Sequence, residues 1–300
     1  MRNTKSRAKK SYKVKAAPVP VIKSEMVKAI GKIAKKAVLP KAENKLACFY
    51  QSYNDGTTLT ANRAGVNANR GWATQNQKIT GVTDVLKLIP NVFQGSTDNQ
   101  RIGQRITPVS LNLKGQVRVS LPRLNTRNRT DLKVVIYVLQ AVAFKSYDAL
   151  YNAAPTLLPN LLQTGENFTQ AFIGEAFDKD RLVSDQYFKL IKKKTVSLRY
   201  AGLDQIGGGQ IPGGTVVATA NSHNYYAEFN MNLVKALPKH LSYPESADTA
   251  NNQAEPINSS IFMAMGFVNQ LEQAQPGEGI PAALTWIEQC YTTQMKFKDM

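Results

Sequence analysis

A chain of 300 residues with 43% hydrophobic side chains can bury a substantial core, as one large all-β domain or two small ones. No apolar run reaches the roughly 18 uncharged residues of a membrane-spanning helix, and MRNTKSRAKKSYKVK carries charge where a signal peptide needs an apolar stretch, so the chain reads as soluble and non-secreted. The formal net charge is +17, and it is unevenly spread: residues 1–45 hold fourteen Lys or Arg against Glu25 and Glu43, a net of +12, leaving +5 for the other 255 residues.

In chain order, residues 1–18 have one aromatic, Tyr12, and no apolar cluster. They cannot bury enough surface to offset their ordering entropy and read as disordered. From Lys23 to Ala37, Met26, Val27, Ile30, Ile33, Ala34 and Ala37 recur at three- and four-residue steps, with lysines between them, which predicts a basic amphipathic helix. Ser24 suits its N-cap and Glu25 its first turn, while Lys35 and Lys36 suit its negative end and Pro40 lies just beyond. Gly31 weakens it by about 1 kcal/mol.

After residue 45 the period becomes two. LACFYQSY (46–53) fits an edge strand, and DVLKLIP (84–90) a short one. The clearest case is VSLNLKGQVRVSL: Val109, Leu111, Leu113, Val117, Val119 and Leu121 share one parity and polar residues take the other, with Gly115 keeping the register and a candidate for a bulge. Further strands are predicted over 132–144, 187–200, 224–236, 259–270 and 285–298. Connections of very unequal length favour a Greek-key sandwich over a meander. Residues 145–180 read as short helices broken by Pro155 and Pro159, placed with the other long connections on one rim of the sandwich.

Covalent chemistry finds little support. His223 and His240 are the only histidines, no metal-protease or nucleophile-elbow motif occurs, and the acids are scattered in polar loops. Cys48 and Cys290 lack metal-ligand spacing and read as two buried thiols, with a single bridge between the ends of the fold left open. No catalytic residue, metal site or cofactor is assigned. GGGQIPGG (207–214) fails as a phosphate loop, because Pro212 removes a donor and no Lys-Ser or Lys-Thr follows.

QGSTDNQRIGQRI (94–106) fails the same test. Its GSTDN consists of residues that tolerate tight turns, Gly103 suits a positive φ, and Arg101 and Arg105 flank the next strand as solvated surface charges. An apolar strand, this segment and the alternating VSLNLKGQVRV together resemble the capsid proteins of small circular single-stranded DNA viruses, the CRESS-DNA group. There a Q-G-x-x-x-x-x-R-I-G-x-x-I segment joins the first two strands of a jelly roll. Gln94, Gly95, Arg101, Ile102, Gly103 and Ile106 are the matching positions. The match covers about thirty residues, the wider likeness is one of layout, and the insertion at 145–180 falls outside it.

The resemblance implies an all-β fold, a single jelly-roll β-sandwich of eight strands in Greek-key order with short helical insertions. It divides the chain into a basic arm (1–45) that holds the genome and a shell domain (46–300). It implies a homo-oligomer of roughly 60 copies (T=1), an icosahedral virion assembled in the host nucleus around single-stranded DNA. Arg2, Lys5, Arg7, Lys9, Lys10, Lys13, Lys15, Lys23, Lys28, Lys32, Lys35 and Lys36 are the candidate nucleic-acid contacts. On independent grounds, such an arm binds phosphate nonspecifically through counterion release. Sixty copies would bring about 720 positive charges to one strand. RAKK and its neighbouring lysines also fit a nuclear import signal, a pattern short basic runs meet by chance very often. The 23–37 helix has two open readings, packing under the shell or on the genome, and membrane contact as a particle enters a cell. Two rival functions also stay open: the coat of a small RNA virus, and a non-viral nucleic-acid-binding protein with a basic tail.

Overall fold

The alternating run that begins near residue 109 is one of ten strands in the computed structural model, which describes residues 44–51, 72–119, 130–165, 169–200, 225–244, 254–269 and 287–299. The chain divides into two units, Met1–Ala42 and Glu43–Met300, and the described residues all belong to the second. The predicted disorder of the arm, the 23–37 helix and the glycine-rich 207–214 loop therefore lie outside the described residues.

The strands are β1 (Asn44–Gln51), β2 (Ala73–Gln75), β3 (Leu86–Lys87), β4 (Arg105–Val119), β5 (Thr130–Ala141), β6 (Phe188–Tyr200), β7 (Tyr226–Asn232), β8 (Leu241–Ser242), β9 (Ile261–Asn269) and β10 (Ile287–Asp299). All eight predicted segments hold a strand; β2 and β8, of three and two residues, were too short for periodicity to mark. The first sheet runs β1-β10-β4-β7, with β2 attached to β10 and β8 to β4; the second runs β3-β9-β5-β6. Every pairing is antiparallel.

Period two decides what lies between the sheets. Leu111, Leu113, Val117 and Val119 of β4 and Tyr291, Met295 and Phe297 of β10 point inward. They meet Leu132, Val134, Ile136 and Val138 of β5 and Met263, Met265 and Phe267 of β9 in one cluster. Each such side chain contributes about 1.5–3 kcal/mol on burial. Parity fails at Val109, which is 48% exposed. Lys296 faces Ser110 but Phe297 faces Pro108, so Val109 is the extra residue of a bulge, and Ile106 returns to the core beyond it.

Gly115 is not the bulge. It keeps register with Phe229 on one side and Tyr291 on the other, and the Phe229 ring occupies the space a Cβ would need. Gly115→Ala is expected to lower the unfolding free energy by about 1–3 kcal/mol, because the ring must be displaced within a packed layer. Denaturant midpoints of the two chains measure this; equal midpoints would mean the ring moves aside freely.

The insertion after β5 does not sit on a rim. α1 (Tyr147–Leu157), capped by Ser146 Oγ accepting the Ala149 N–H at 3.3 Å, covers the outer face of the second sheet. Leu150, Ala154, Leu157, Leu158 and Leu161 pack there against Val135, Tyr137 and Leu139 of β5 and Phe262 and Ala264 of β9. All nine residues of β9 are consequently buried. Pro155 falls in the last turn of α1 and does not interrupt it, while Pro159 lies in a 3-10 turn, Leu158–Asn160.

The second predicted helix, FTQAFIGEAF, does not form. Asp178 Oδ2 accepts the N–H groups of Ile173, Gly174 and Glu175 at 2.9, 2.9 and 3.1 Å, a local alternative to helical bonding. Gly174 turns there with φ of 91°. Both cysteines are free, as the thiol reading expects, but neither is buried: Cys48 is exposed and Cys290 is partly so. Cys48 faces Gln294 on β10, four positions along that strand from Cys290.

Candidate functional site at the β3–β4 corner

QGSTDNQRIGQRI spans the turn from β3 to β4, the third and fourth strands in chain order and not the first two. The chain closes on itself there. The Arg101 N–H donates to Phe93 O and the Gly95 N–H to Arg101 O, both at 2.9 Å, while Gln100 N–H reaches Thr97 O at 2.9 Å. The Gln100 side chain folds back over Gly95, in the space a Cβ would fill, and donor and acceptor are reversed where its Oε1 accepts the Thr97 N–H at 3.2 Å. Gln94 Nε2 donates to Ile102 O at 3.3 Å.

Arg101 is the largest correction to the sequence reading. Expected on the surface, its side chain is 0% exposed. Nη1 donates to Gly103 O at 2.7 Å, and the guanidinium lies 4.6 Å from the centre of the Tyr243 ring. A desolvated contact of that kind is worth about 2 kcal/mol. Burial pulls the Arg101 pKa down, with Tyr243 and Asp299 opposing, yet a guanidinium stays charged at any ordinary pH. Burial also pushes the Tyr243 phenol above its usual range, so it remains neutral beside the cation. Gly103 does not take a positive φ; among the described residues only Gly174 does.

The start of β1 and the end of β10 meet this corner. Asp299, at the end of β10, accepts the Ile102 N–H at 2.6 Å on Oδ2 and the Gly103 N–H at 3.5 Å on Oδ1. Lys45, assigned to the arm from sequence, lies inside β1 and is buried; its Nζ is 3.2 Å from Asp299 Oδ2 and 2.9 Å from Gln100 O. The Leu46 N–H adds a bond to Asp98 O at 3.2 Å. A buried pair of this sort adds little net stability but strongly penalises wrong arrangements. β1, β10 and the loop are thus held in one register.

Of the six motif positions, Arg101 and Ile106 are buried, Gly95 and Gly103 are half-buried, and Gln94 and Ile102 are exposed. The corner turns the Arg101 guanidinium inward onto the Gly103 carbonyl and the Tyr243 ring, while Arg105 stays exposed. Its chemistry is that of a rim clasp. The residues sequence reasoning missed are Lys45, Tyr243 and Asp299, whose roles depend on contacts across 55 to 254 positions.

Elsewhere, His240 Nδ1 is 3.1 Å from Thr107 Oγ1, and His223 lies outside the described residues. Lys87 and Glu255 form a second buried pair at 2.6 Å. On the outer face of the first sheet, Arg118 bonds Glu288 at 2.7 Å and lies 4.0 Å over the Trp72 ring. Among the described residues no three His, Cys, Asp or Glu side chains could hold a metal, and no helix is long and apolar enough to cross a membrane. The twelve arm cations from Arg2 to Lys36 lie outside the described residues. No family model matches the chain, and no curated protein matches it in sequence.

Proposed function

We propose that this chain is the coat subunit of a small single-stranded DNA virus: a jelly roll that self-assembles into an icosahedral shell and packages the genome through its basic arm. The observation that carries the reading is strand order. With the short β2 and β8 set aside, eight strands remain, and in that count the sheets read 1-8-3-6 and 2-7-4-5. A ribbon of strands 1 to 4 folded back on strands 5 to 8 pairs 1 with 8, 2 with 7, 3 with 6 and 4 with 5. All four antiparallel pairs are present, as β1–β10, β3–β9, β4–β7 and β5–β6. Rolling that ribbon gives the two Greek keys of a jelly roll.

Charge supports the second half of the reading. A +12 segment beside a body of +5 separates polyanion binding from shell building along the chain. Assembly then draws on interface burial and on genome neutralisation, so it weakens with salt.

The test is to express the full chain, image it by electron microscopy, and treat nucleic acid from the particles with DNase and RNase. The reading expects closed shells whose cargo yields to DNase. RNase-sensitive cargo would transfer it to an RNA virus coat, and a chain that stays near 33.1 kDa would leave a basic-tailed nucleic-acid-binding protein.

A further inference from the structure

A pocket of about 300 Å³ opens where the insertion leaves β5 and rejoins β6. Gln140 faces Lys189 in register, and the Val142 N–H donates to Tyr187 O at 2.9 Å, so the two stems of the insertion are pinned together there. Lys145 and Lys189 line the pocket, and among the described residues they are its only charged lining groups. The acids nearest to them in sequence, Asp148 and Asp185, do not line it. Both lysines are exposed, and neither has an ion pair or hydrogen bond among the described residues.

Two uncompensated ammonium groups on one concave surface call for an anion. The rest of the lining narrows the choice. Val142 is 59% exposed and Phe144 is half-buried, so an apolar and aromatic wall stands beside the cations. Cations for phosphate next to an aromatic side chain for a base is the combination that holds single-stranded nucleic acid without reading its sequence. The volume lies at the small end of ligand sites and suits one nucleotide.

The position of the pocket points the same way. The basic N-terminal segment joins the body at β1, whose first residue, Asn44, pairs with Lys298, and Lys298 pairs in turn with Thr107. Thr107 Oγ1 is 3.1 Å from His240 Nδ1. His240 O accepts from Nδ2 of Asn258, a residue of the pocket wall, at 2.8 Å. Asn258 Oδ1 also accepts the Ser242 N–H at 3.0 Å, and Ser242 pairs with the exposed Arg105. The pocket therefore opens at the end of the sandwich where β1 starts.

We infer that this pocket holds one nucleotide of a single-stranded polynucleotide, its phosphate at Lys145 and Lys189 and its base against Phe144 and Val142. This rests on the coat reading and deepens it, adding a fixed contact on the body to the nonspecific grip of the arm.

Photo-cross-linking of the full chain to an oligothymidylate containing 4-thiothymidine tests it, at protein and salt concentrations where no particles form, with the cross-linked peptides mapped by mass spectrometry. The parent chain is expected to cross-link within residues 140–145 as well as in its arm. K145Q/K189Q is expected to cut the pocket cross-link about tenfold or more and to lower the slope of log affinity against log salt by about 1.4, two contacts of about 0.7 each. K114Q/K296Q removes the same charge from the outer face of the first sheet, where both lysines are exposed, and is expected to keep the pocket cross-link. Far-ultraviolet circular dichroism confirms that each variant is folded. Parent cross-links confined to the arm overturn the inference, which is the outcome if the pocket takes only free phosphate or an acidic segment of a second copy. A pocket cross-link that K145Q/K189Q leaves intact, or that K114Q/K296Q reduces equally, also overturns it. The readout needs no particle: a chain that cross-links here yet never assembles counts against the coat reading alone, and particles without this cross-link count against the pocket alone.

Discussion

A chain lacking residues 1–22 is expected to lose packaging while keeping its β-rich circular dichroism. The deletion removes Arg2, Lys5, Arg7, Lys9, Lys10, Lys13 and Lys15. On single strands each phosphate contact adds about −0.7 to the slope of log affinity against log salt, so seven contacts account for about five units of slope. A titration of single-stranded DNA at several salt concentrations reads this directly. The body should be indifferent, because β1 begins at Asn44 and its anchoring bonds, from Lys45 and Leu46, go to Asp299, Gln100 and Asp98. A deletion that leaves the slope unchanged removes the arm from genome binding. Loss of β signal would contradict the division of labour between arm and body.

Arg101→Ala is expected to destabilise the body by about 3–5 kcal/mol, the range for truncating a large, fully buried side chain. Three losses coincide at that position: the bond to Gly103 O, the contact with the Tyr243 ring, and the volume of the largest fully buried side chain among the described residues. Arg101→Lys should recover less than half, since an ammonium keeps the charge without the planar fork that lies over the ring. Denaturant unfolding of the three chains at matched, dissociating conditions measures the order. A loss under about 1 kcal/mol for the alanine chain would mean that the corner does not hold the rim.

The strands were legible because half-buried antiparallel β follows period two, which no loop imitates over thirteen residues. Leu111, Leu113, Val117 and Val119 are inward as their parity requires. Val109 was misread because a bulge changes parity without leaving a mark in residue type; the glycine that suggested one, Gly115, serves instead to admit the Phe229 ring. The insertion was misplaced, although a signal was present. VVIYVL and IFMAMGFV are continuous apolar runs, not alternating ones, and such runs belong to strands covered on both faces. Reading them so would have demanded a layer over the second sheet, and the leucines of YDALYNAAPTLLPNLL would have supplied it.

The corner was legible only as a motif. Its residues resembled a family pattern, but nothing local announced that Arg101 is internal. Tyr243 and Asp299 lie 142 and 198 positions further along, and they are what make burial of that charge tolerable. An arginine beside glycine and isoleucine in a polar turn is ordinarily solvated; tertiary context reversed it here. The same holds for Lys45, one of a long basic series in the sequence, yet separated from it by its place in β1.

The central claim is that the two-sheet body builds a container around a polyanion held by the arm. Sedimentation velocity of the purified full chain tests it most directly, with absorbance recorded at both 260 and 280 nm. The account predicts a discrete megadalton species whose absorbance ratio reports packaged nucleic acid and which dissociates as salt rises. A single species near the chain mass of 33.1 kDa at every salt concentration would contradict it.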